Sequence, residues 1–180
     1  MNDRLIQKLK KIKLIISDVD GVLTDGSIYI GSNGEEMKKF SVEDGAGVAL
    51  ARASGLIIAL LSGRFSFATD IRAKELKIED IYNGMLNKIP AYEELKRKYN
   101  LEDSEIVYIG DGLIDIPVME KAGIPVSVKN AHPTAKETAV YVTDKSGGSG
   151  ALQETIELVL KAQNQYDDAI NKMREKVLNL

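Results

Sequence analysis

Short apolar runs alternate with helical patterns along most of the chain. The apolar runs predict strands at residues 14–17, 56–61, 80–82, 106–109, 125–128 and 140–143. Helical patterns lie between them, at residues 46–53, 67–76, 90–99 and 116–122. Asp115 is placed to cap the last of these helices. Because such alternation is typical of βα units, the sequence predicts an α/β fold with a mostly parallel sheet and helices on both faces.

Two segments depart from this alternation. Residues 27–42 carry two alternating runs that meet at Gly-Ser-Asn-Gly, which predicts a β-hairpin inserted after the first strand. Residues 147–150, Gly-Gly-Ser-Gly, are interpreted as flexible, and residues 151–180 as a C-terminal helix and tail. The tail carries an apolar seam at Tyr166, Ile170, Met173, Val177 and Leu180. Its spacing is typical of a helix that packs on another helix, either in its own domain or in a second subunit.

Length and composition favour one globular domain spanning residues 1–180. The chain has 180 residues, 44% of them hydrophobic, which is enough to bury a sizeable core. A net charge of −3 argues against nucleic acid as the main partner. The absence of cysteine excludes disulfides, thiolate metal sites and a cysteine nucleophile. Because the N-terminal apolar runs are too short for a signal peptide or a membrane span, we expect a soluble cytoplasmic protein.

Polar clusters follow three of the predicted strands. Asp18 and Asp20 come directly after the first strand, Ser-Gly-Arg at residues 62–64 follows the second, and Asp111 follows the strand at 106–109. The carboxyl ends of parallel strands meet at one edge of the sheet, where ligands of such folds bind. We therefore expect the three clusters to converge on a single site.

The carboxylates of this site indicate a bound cation. Residues two apart in an extended segment point the same way, so Asp18 and Asp20 face one site that Asp111 reaches from a neighbouring strand. Three close carboxylates repel each other and resist burial unless a positive charge lies between them. Oxygen ligands without histidine or cysteine suit Mg²⁺, which is the predicted cofactor.

The remaining polar residues suit a phosphoryl group. Lys88, just before a helix, adds a positive charge. Gly21, Ser62 and Gly63 offer hydroxyl and backbone donors for phosphate oxygens. Phosphoryl transfer depends chiefly on positioning and charge neutralisation, which this set of residues provides.

The order of these residues resembles the four motifs of the haloacid dehalogenase superfamily phosphatases. The matching stretches are DVDGVLTD at residues 18–25, Ser62, Lys88 and GDGLID at residues 110–115. The resemblance implies that Asp18 is the nucleophile that forms an aspartyl phosphate. It implies that Asp20 protonates the leaving alcohol and then activates water.

The same resemblance implies how the other groups are held. Asp18, the backbone carbonyl of Asp20 and Asp111 would bind Mg²⁺, with Asp115 supporting them from behind or through a water molecule. Ser62 would bind a phosphate oxygen, and Lys88 would balance the charge of the phosphate and of Asp18.

The spacing of the motifs leaves no room for a cap domain. Caps of this superfamily are inserted between the first and second motifs or between the second and third. Here residues 19–61 hold only the hairpin and one helix, and residues 63–87 are no longer than one βα unit. The resemblance thus implies a single Rossmann-like, capless domain, in which a neighbouring subunit is expected to help enclose the site.

Further stretches resemble the capless members that act on 3-deoxy-D-manno-octulosonate 8-phosphate. They lie at residues 44–47, 62–64, 110–123, 130–133 and 147–154. The resemblance implies a Mg²⁺-dependent homotetramer whose hairpins join into a central barrel, and a product used in bacterial lipopolysaccharide synthesis. The tail after Leu160 is expected either to reach a neighbour's active site or to support assembly.

The carboxylate of a sugar acid substrate calls for a basic partner near the phosphate site. Arg64 is the first candidate because its guanidinium offers a bidentate fork, and Arg72 is the second, with an exposed helix position as its other interpretation. The predicted substrate contacts are Asp20, Asp44, Gly45, Gly63, Arg64, Arg72 and Lys88.

Other functions stay open at this point. Members of the subgroup often carry charged residues where this chain has Val48, Gly112 and Ser149, so another sugar acid phosphate is an alternative substrate. A regulatory domain that only holds a phosphoryl group, such as a receiver domain, is a second alternative. A receiver, however, is phosphorylated after its third strand, whereas the acidic pair here follows the first. A nucleotide-binding module is disfavoured because no GxGxxG follows that strand.

Overall fold

Six parallel strands form the main sheet in the computed structural model, which describes residues 3–178. The strands are β1 (Leu14–Ser17), β4 (Ile57–Ser62), β5 (Asp80–Asn83), β6 (Ile106–Gly110), β7 (Ile124–Ser127) and β8 (Tyr141–Val142). Their order across the sheet is β5-β4-β1-β6-β7-β8, and every neighbouring pair is parallel. The predicted α/β sheet is confirmed, with β1 buried at its centre between β4 and β6.

Eight helices surround this sheet within the described residues. They are α1 (Asp3–Leu9), α2 (Val42–Ser54), α3 (Phe67–Leu76), α4 (Ile89–Tyr99), α5 (Ile116–Met119), α6 (Pro133–Thr138), α7 (Ala151–Ala162) and α8 (Tyr166–Leu178). α1, α2, α3, α7 and α8 pack together on one face, and α4, α5 and α6 on the other. Between residues 3 and 178, no helix has the length and apolar character needed to cross a bilayer.

Several element boundaries differ from the sequence-based expectation. α2 begins four residues earlier than predicted because the Ser41 hydroxyl accepts a hydrogen bond from Glu43 N at 3.1 Å, so Val42 belongs to the helix and not to the hairpin. Asp115 takes the predicted N-cap position of α5, but its side chain makes no cap hydrogen bond there. The short helices α1 and α6 were not predicted.

The inserted hairpin is confirmed and lies outside the main sheet. Its strands, β2 (Tyr29–Ile30) and β3 (Glu36–Met37), are antiparallel. Gly31 N donates to the carbonyl of Glu35 at 2.8 Å, and Gly34 takes a positive φ of 81° that a glycine adopts without strain. No cap domain accompanies it, because α2 is the only other element between β1 and β4 in the described chain.

The C-terminal segment forms two helices where one was predicted. The chain breaks between α7 and α8 at Asn164, which has a left-handed φ of 56°. α8 then packs against α2, and Tyr166, Ile170 and Met173 of the seam contact the core of their own domain. The described part of the seam therefore folds back on its own chain. The Val177 side chain and Leu180 lie outside the described residues.

The glycine stretch at residues 147–150 is packed against the loop that follows β1, so its interpretation as flexible is wrong. Gly147 N donates to Asn130 Oδ1 at 2.8 Å, and Gly148 N donates to the carbonyl of Val22 at 2.9 Å. A Cβ atom at Gly147 would lie 1.7 Å from the carbonyl oxygen of Gly21. Glycine is required here because two stretches of backbone meet at van der Waals contact.

Candidate active site

A buried ion pair lies at the carboxyl end of β1. Asp18 directly follows the strand, and its backbone N–H donates to the carbonyl of Ile109 in β6 at 2.9 Å, which fixes it to the sheet. Its Oδ1 accepts a hydrogen bond from Val19 N at 2.7 Å and lies 2.9 Å from Lys88 Nζ. The Asp18 side chain is 5% exposed and that of Lys88 is fully buried. The structure thus brings together two of the residues predicted for the site.

Lys88 has a second carboxylate partner, Asp115. The Lys88 Nζ lies 2.7 Å from Asp115 Oδ1, which also accepts from the hydroxyl of Tyr108 at 2.5 Å. The other oxygen of Asp115 accepts from the backbone N–H groups of Asp111 and Gly112 at 3.1 and 3.0 Å. Because both of its oxygens are occupied, Asp115 holds Lys88 and the loop after β6 in place. Tyr108 was not predicted, since tyrosine in an apolar strand is typical of a core residue.

Asp111 reaches the same place from β6. Carboxylate oxygens of Asp18, Asp111 and Asp115 all lie within 4.8 Å of one another. A Cβ atom at Gly21 would lie 2.1 Å from Asp111 Oδ2, so only glycine admits this carboxylate. Gly21 also has a φ of 90°, which favours glycine.

The carboxyl cluster carries more negative charge than Lys88 balances. Burial raises the pKa of Asp18 well above its ordinary value, with Asp115 adding to the effect and Lys88 opposing it. Burial and the charge of Asp115 likewise raise the pKa of Asp111 to about 6. A cation held between these oxygens would lower both pKa values, because a positive charge favours the ionised carboxylates. The donor set, made only of oxygens, fits Mg²⁺.

Asp20 turns away from this cluster towards the hairpin. Its Oδ1 accepts a hydrogen bond from Lys38 Nζ at 2.5 Å, while its Oδ2 is buried and has no hydrogen-bond partner among the described residues. The side chain of Lys38 is only 2% exposed. Sequence reasoning missed Lys38, although its position two residues after Glu36 in an alternating run places both on one face of the hairpin.

The segment after β4 also borders the site. The Ser62 hydroxyl donates to the carbonyl of Arg64 at 2.8 Å, so it closes its own turn in this structure. A Cβ atom at Gly63 would lie 2.7 Å from Ile114 Cδ1 and 3.9 Å from Lys88 Cε. Gly63 therefore sits beside the side chain of Lys88.

The two arginines predicted for the substrate carboxylate already have partners. Arg64 forms an ion pair with Glu36 of the hairpin. Arg72 Nη2 donates to the carbonyl of Ser41 at 3.0 Å, and a Cβ atom at Gly45 would lie 3.1 Å from the same nitrogen. Arg72 is thus half-buried between α2 and α3, and neither Arg72 nor Gly45 contacts the carboxylate cluster in the described structure.

Asp44 belongs to α2, and its buried side chain lies against the start of α7. Its Oδ1 accepts from Gln153 N at 3.1 Å, and its Oδ2 has no hydrogen-bond partner in the described residues. α2 and α7 meet so closely that a Cβ atom at Gly47 would lie 2.7 Å from Gln153 Cα. Burial raises the pKa of Asp44 to about 6, against the opposing effect of the Gln153 N–H. The structure supports a capping role for Asp44, where the sequence predicted a substrate contact.

Replacing Asp44 with asparagine is expected to change the pH dependence of stability. Because the pKa of Asp44 is raised, the folded protein keeps a proton that the unfolded chain releases above about pH 4. The free energy of unfolding of the wild type therefore falls as the pH rises from about 4 to about 6. Asp44→Asn lacks this loss. The difference in free energy of unfolding between the variant and the wild type should therefore rise by on the order of 2 kcal/mol, in favour of the variant, over that range. Urea unfolding at pH 4.5 and pH 7.5 measures the difference.

Enzyme kinetics on the same variant separate the two roles of Asp44. A residue that only caps α7 leaves KM for substrate unchanged within about threefold, since asparagine retains the acceptor oxygen. A large rise in KM with unchanged unfolding behaviour would instead show that Asp44 contacts the substrate, as the sequence predicted.

Known proteins resemble this chain over most of its length. The family description of haloacid dehalogenase-like hydrolases matches residues 57–154. The 3-deoxy-D-manno-octulosonate 8-phosphate phosphatase KdsC of Escherichia coli K12 is 44% identical over 165 residues, which cover 92% of this chain and 88% of that protein. The corresponding phosphatase of Yersinia pestis is 42% identical over 167 residues, which cover 93% and 89% of the two chains.

Solved structures show the same relationship in three dimensions. A haloacid dehalogenase superfamily (subfamily III A) hydrolase from Legionella pneumophila superposes with a TM-score of 0.94 at 40% identity, over 96% of this chain and 95% of that one. The Moraxella catarrhalis phosphatase, solved with a magnesium ion, a phosphate ion and the sugar acid KDO, gives 0.91 at 43% identity, over 95% and 98%. The matched sequence, the shared fold and the Asp18, Lys88 and Asp111 cluster agree, and the chain belongs to the haloacid dehalogenase-like hydrolases.

Proposed function

We propose that this chain is a Mg²⁺-dependent phosphatase that hydrolyses 3-deoxy-D-manno-octulosonate 8-phosphate to the free keto sugar acid and inorganic phosphate. The observation that carries the proposal is the buried Asp18–Lys88 pair beside Asp111. It lies at the carboxyl ends of the central strands, where a phosphoryl group can approach. Relatives that act on this substrate are 42–44% identical over nearly the whole chain. The product is a precursor of bacterial lipopolysaccharide, and we infer that the enzyme is cytoplasmic.

Asp18 is the nucleophile in this proposal. Its Oδ1 is held by Val19 N and Lys88 Nζ, which orients Oδ2 towards the incoming phosphorus. A bond forms between Asp18 and phosphorus as the bond from phosphorus to the sugar oxygen breaks. Asp20 gives its proton to the leaving alcohol in this step.

Asp20 then acts in the opposite direction. It takes a proton from the water molecule whose oxygen attacks phosphorus, and the bond between phosphorus and Asp18 breaks to release phosphate. Lys88 balances charge on Asp18 and on the phosphoryl oxygens throughout, and donors of Ser62 and Gly63 bind those oxygens. Asp18, Asp111 and the backbone carbonyl of Asp20 would hold Mg²⁺, which supplies further neutralisation of the phosphoryl charge.

Phosphate release by the purified protein tests this proposal. The substrates are 3-deoxy-D-manno-octulosonate 8-phosphate, other sugar acid phosphates and neutral sugar phosphates, each assayed with Mg²⁺ and with excess chelator. We expect Mg²⁺-dependent release with a clear preference for the 8-phosphate. Equal release from several sugar phosphates would retain the chemistry and reject the substrate. A stable phosphorylated protein without release would favour a regulatory domain.

We further infer that the chain forms a homotetramer through its hairpin. The hairpin exposes a cluster of apolar side chains, Ile28, Tyr29, Ile30 and Met37. A two-stranded sheet is marginal by itself, and its open edges and apolar surface favour pairing with other copies. The number four rests on the resemblance to the capless subgroup. α8 packs on α2 of its own chain, which argues against an extension of the described tail into a neighbour's active site.

Sedimentation velocity on a hairpin variant tests the assembly. The double substitution Ile30→Asp and Met37→Asp places charges on the exposed cluster, and it is expected to convert the tetramer to smaller species. Val140→Asp is the control, because Val140 is also an exposed apolar residue, 50% exposed, and lies outside the hairpin. A wild type that sediments as a monomer, or a double variant that remains a tetramer, would contradict the proposed interface.

A further inference from the structure

We propose that Lys38 of the hairpin is a positioning residue for the reaction, which holds Asp20 in the orientation needed for proton transfer to the leaving alcohol. The inference rests on the proposed function and assigns the hairpin a catalytic role within its own chain, separate from any role in assembly. It is carried by the contact between Lys38 Nζ and Asp20 Oδ1 at 2.5 Å.

The burial of Lys38 requires an explanation. An ammonium group that loses its water destabilises the fold unless charged or polar partners replace that water. The partners of Lys38 are Asp20 Oδ1 and, at 3.4 Å, the hydroxyl of Thr69 in α3. Its chain neighbour Lys39, in contrast, is exposed to solvent. The hairpin therefore places one lysine into the site and leaves the next one outside.

Glu36 is the second carboxylate near Lys38 in the described structure, and it lies farther away than Asp20. Its Oε1 lies 3.9 Å from Lys38 Nζ, while its Oε2 pairs with Arg64. The result is a row of alternating charges across the hairpin, in the order Arg64, Glu36, Lys38 and Asp20. Asp20 is the closest anionic partner of Lys38, because its Oδ1 lies 2.5 Å from Lys38 Nζ and Glu36 Oε1 lies 3.9 Å away.

This contact makes the two oxygens of Asp20 different. Oδ1 accepts from a permanent donor, so it is not available to carry the transferred proton. Oδ2 is buried and lacks a hydrogen-bond partner within residues 3–178, which makes it the oxygen that meets the leaving group. The proton on Oδ2 passes to the sugar oxygen as the phosphorus–oxygen bond breaks, and Lys38 keeps its own protons. Without Lys38, the Asp20 side chain is free to rotate and exchange its two oxygens.

Leaving groups of different basicity provide the test. A sugar alkoxide needs a proton as it leaves, whereas 4-nitrophenolate leaves without one. Lys38→Met, Lys38→Arg and the control Lys39→Met are compared with the wild type, with enzyme in excess over substrate and Mg²⁺ present. The rates measured are those of the first release of sugar acid from the 8-phosphate and of nitrophenolate from 4-nitrophenyl phosphate.

Lys38→Met is expected to slow sugar release by about 30-fold or more, since general acid catalysis contributes roughly 10²–10⁴-fold. Nitrophenolate release should slow by less than about threefold, because its departure does not use the proton of Asp20. Lys38→Arg should recover part of the sugar rate, and Lys39→Met should match the wild type on both substrates. Thermal unfolding of each variant shows whether the fold is retained.

Equal slowing on the two substrates would overturn the inference, because it would show that Lys38 supports the fold or phosphate binding only. Failure of the proposed function has a different signature. If the wild type releases nothing from the 8-phosphate, the comparison is made with glycerol 3-phosphate, another primary alkyl phosphate. A wild type that hydrolyses neither overturns the proposed function and the inference together.

Discussion

Asp18→Asn is expected to abolish phosphate release, with a fall in kcat on the order of 10⁴-fold or more. The amide of asparagine is a poor nucleophile, so no bond to phosphorus forms at this position. The size of the side chain is unchanged, and Lys88 keeps Asp115 as its partner at 2.7 Å. Substrate binding should therefore survive. Steady-state phosphate release and titration calorimetry with the 8-phosphate measure the two effects.

Asp25→Asn is the matched control for this experiment. Asp25 lies in the same loop but is exposed, and its Oδ1 only accepts a turn hydrogen bond from Ser27 N at 2.9 Å. It should retain wild-type activity. Substantial turnover by Asp18→Asn, after mass spectrometry has excluded deamidation back to aspartate, would show that the nucleophile is another residue.

The convergence of the active-site residues could be predicted because it follows from topology. Asp18, Ser62 and Asp111 are far apart in sequence, but each lies at the carboxyl end of a strand of one parallel sheet, and the observed strand order makes β1 the neighbour of both β4 and β6. An apolar strand that ends in a carboxylate is visible in the sequence alone. The general position of the site needed no knowledge of side-chain packing.

The contacts that hold these residues could not be predicted, because they depend on tertiary packing. Lys38 is 18 residues from Asp20 along the chain and meets it only because the hairpin folds over the site. Asp44 belongs to a stretch that resembles a substrate-binding motif, yet it lies against Gln153, more than 100 residues away, at the start of α7. The turn at Asn164 precedes the apolar seam, which begins at Tyr166, so the spacing of the seam does not reveal it.

Lys88→Met is expected to destabilise the folded protein by about 3–5 kcal/mol and to remove activity, because it breaks a fully buried ion pair. The lysine balances Asp18 at 2.9 Å and Asp115 at 2.7 Å, and both carboxylates are almost completely buried. Methionine fills a similar volume, so the loss comes from uncompensated charge more than from a cavity. Urea unfolding without Mg²⁺, at pH 7.5, measures the difference in free energy.

An exposed pair supplies the contrast for that measurement. Lys13 lies 2.6 Å from Glu105 with 62% of its side chain exposed, so Lys13→Met should cost less than about 1 kcal/mol. A small effect at both lysines would mean that the buried carboxylates of the site are already neutral in the wild type.

The double variant Lys88→Met, Asp115→Asn identifies the origin of the Lys88 effect. If unpaired negative charge destabilises the single variant, removing one carboxylate should restore part of the lost free energy. The loss should also shrink as pH falls, because the remaining carboxylates then bind protons in the folded state that the unfolded chain binds less readily. A loss that is independent of pH and unaffected by Asp115→Asn would instead point to altered packing around Tyr108. In that case Lys88 would stabilise the site by its shape, and its charge would matter only when phosphate is bound.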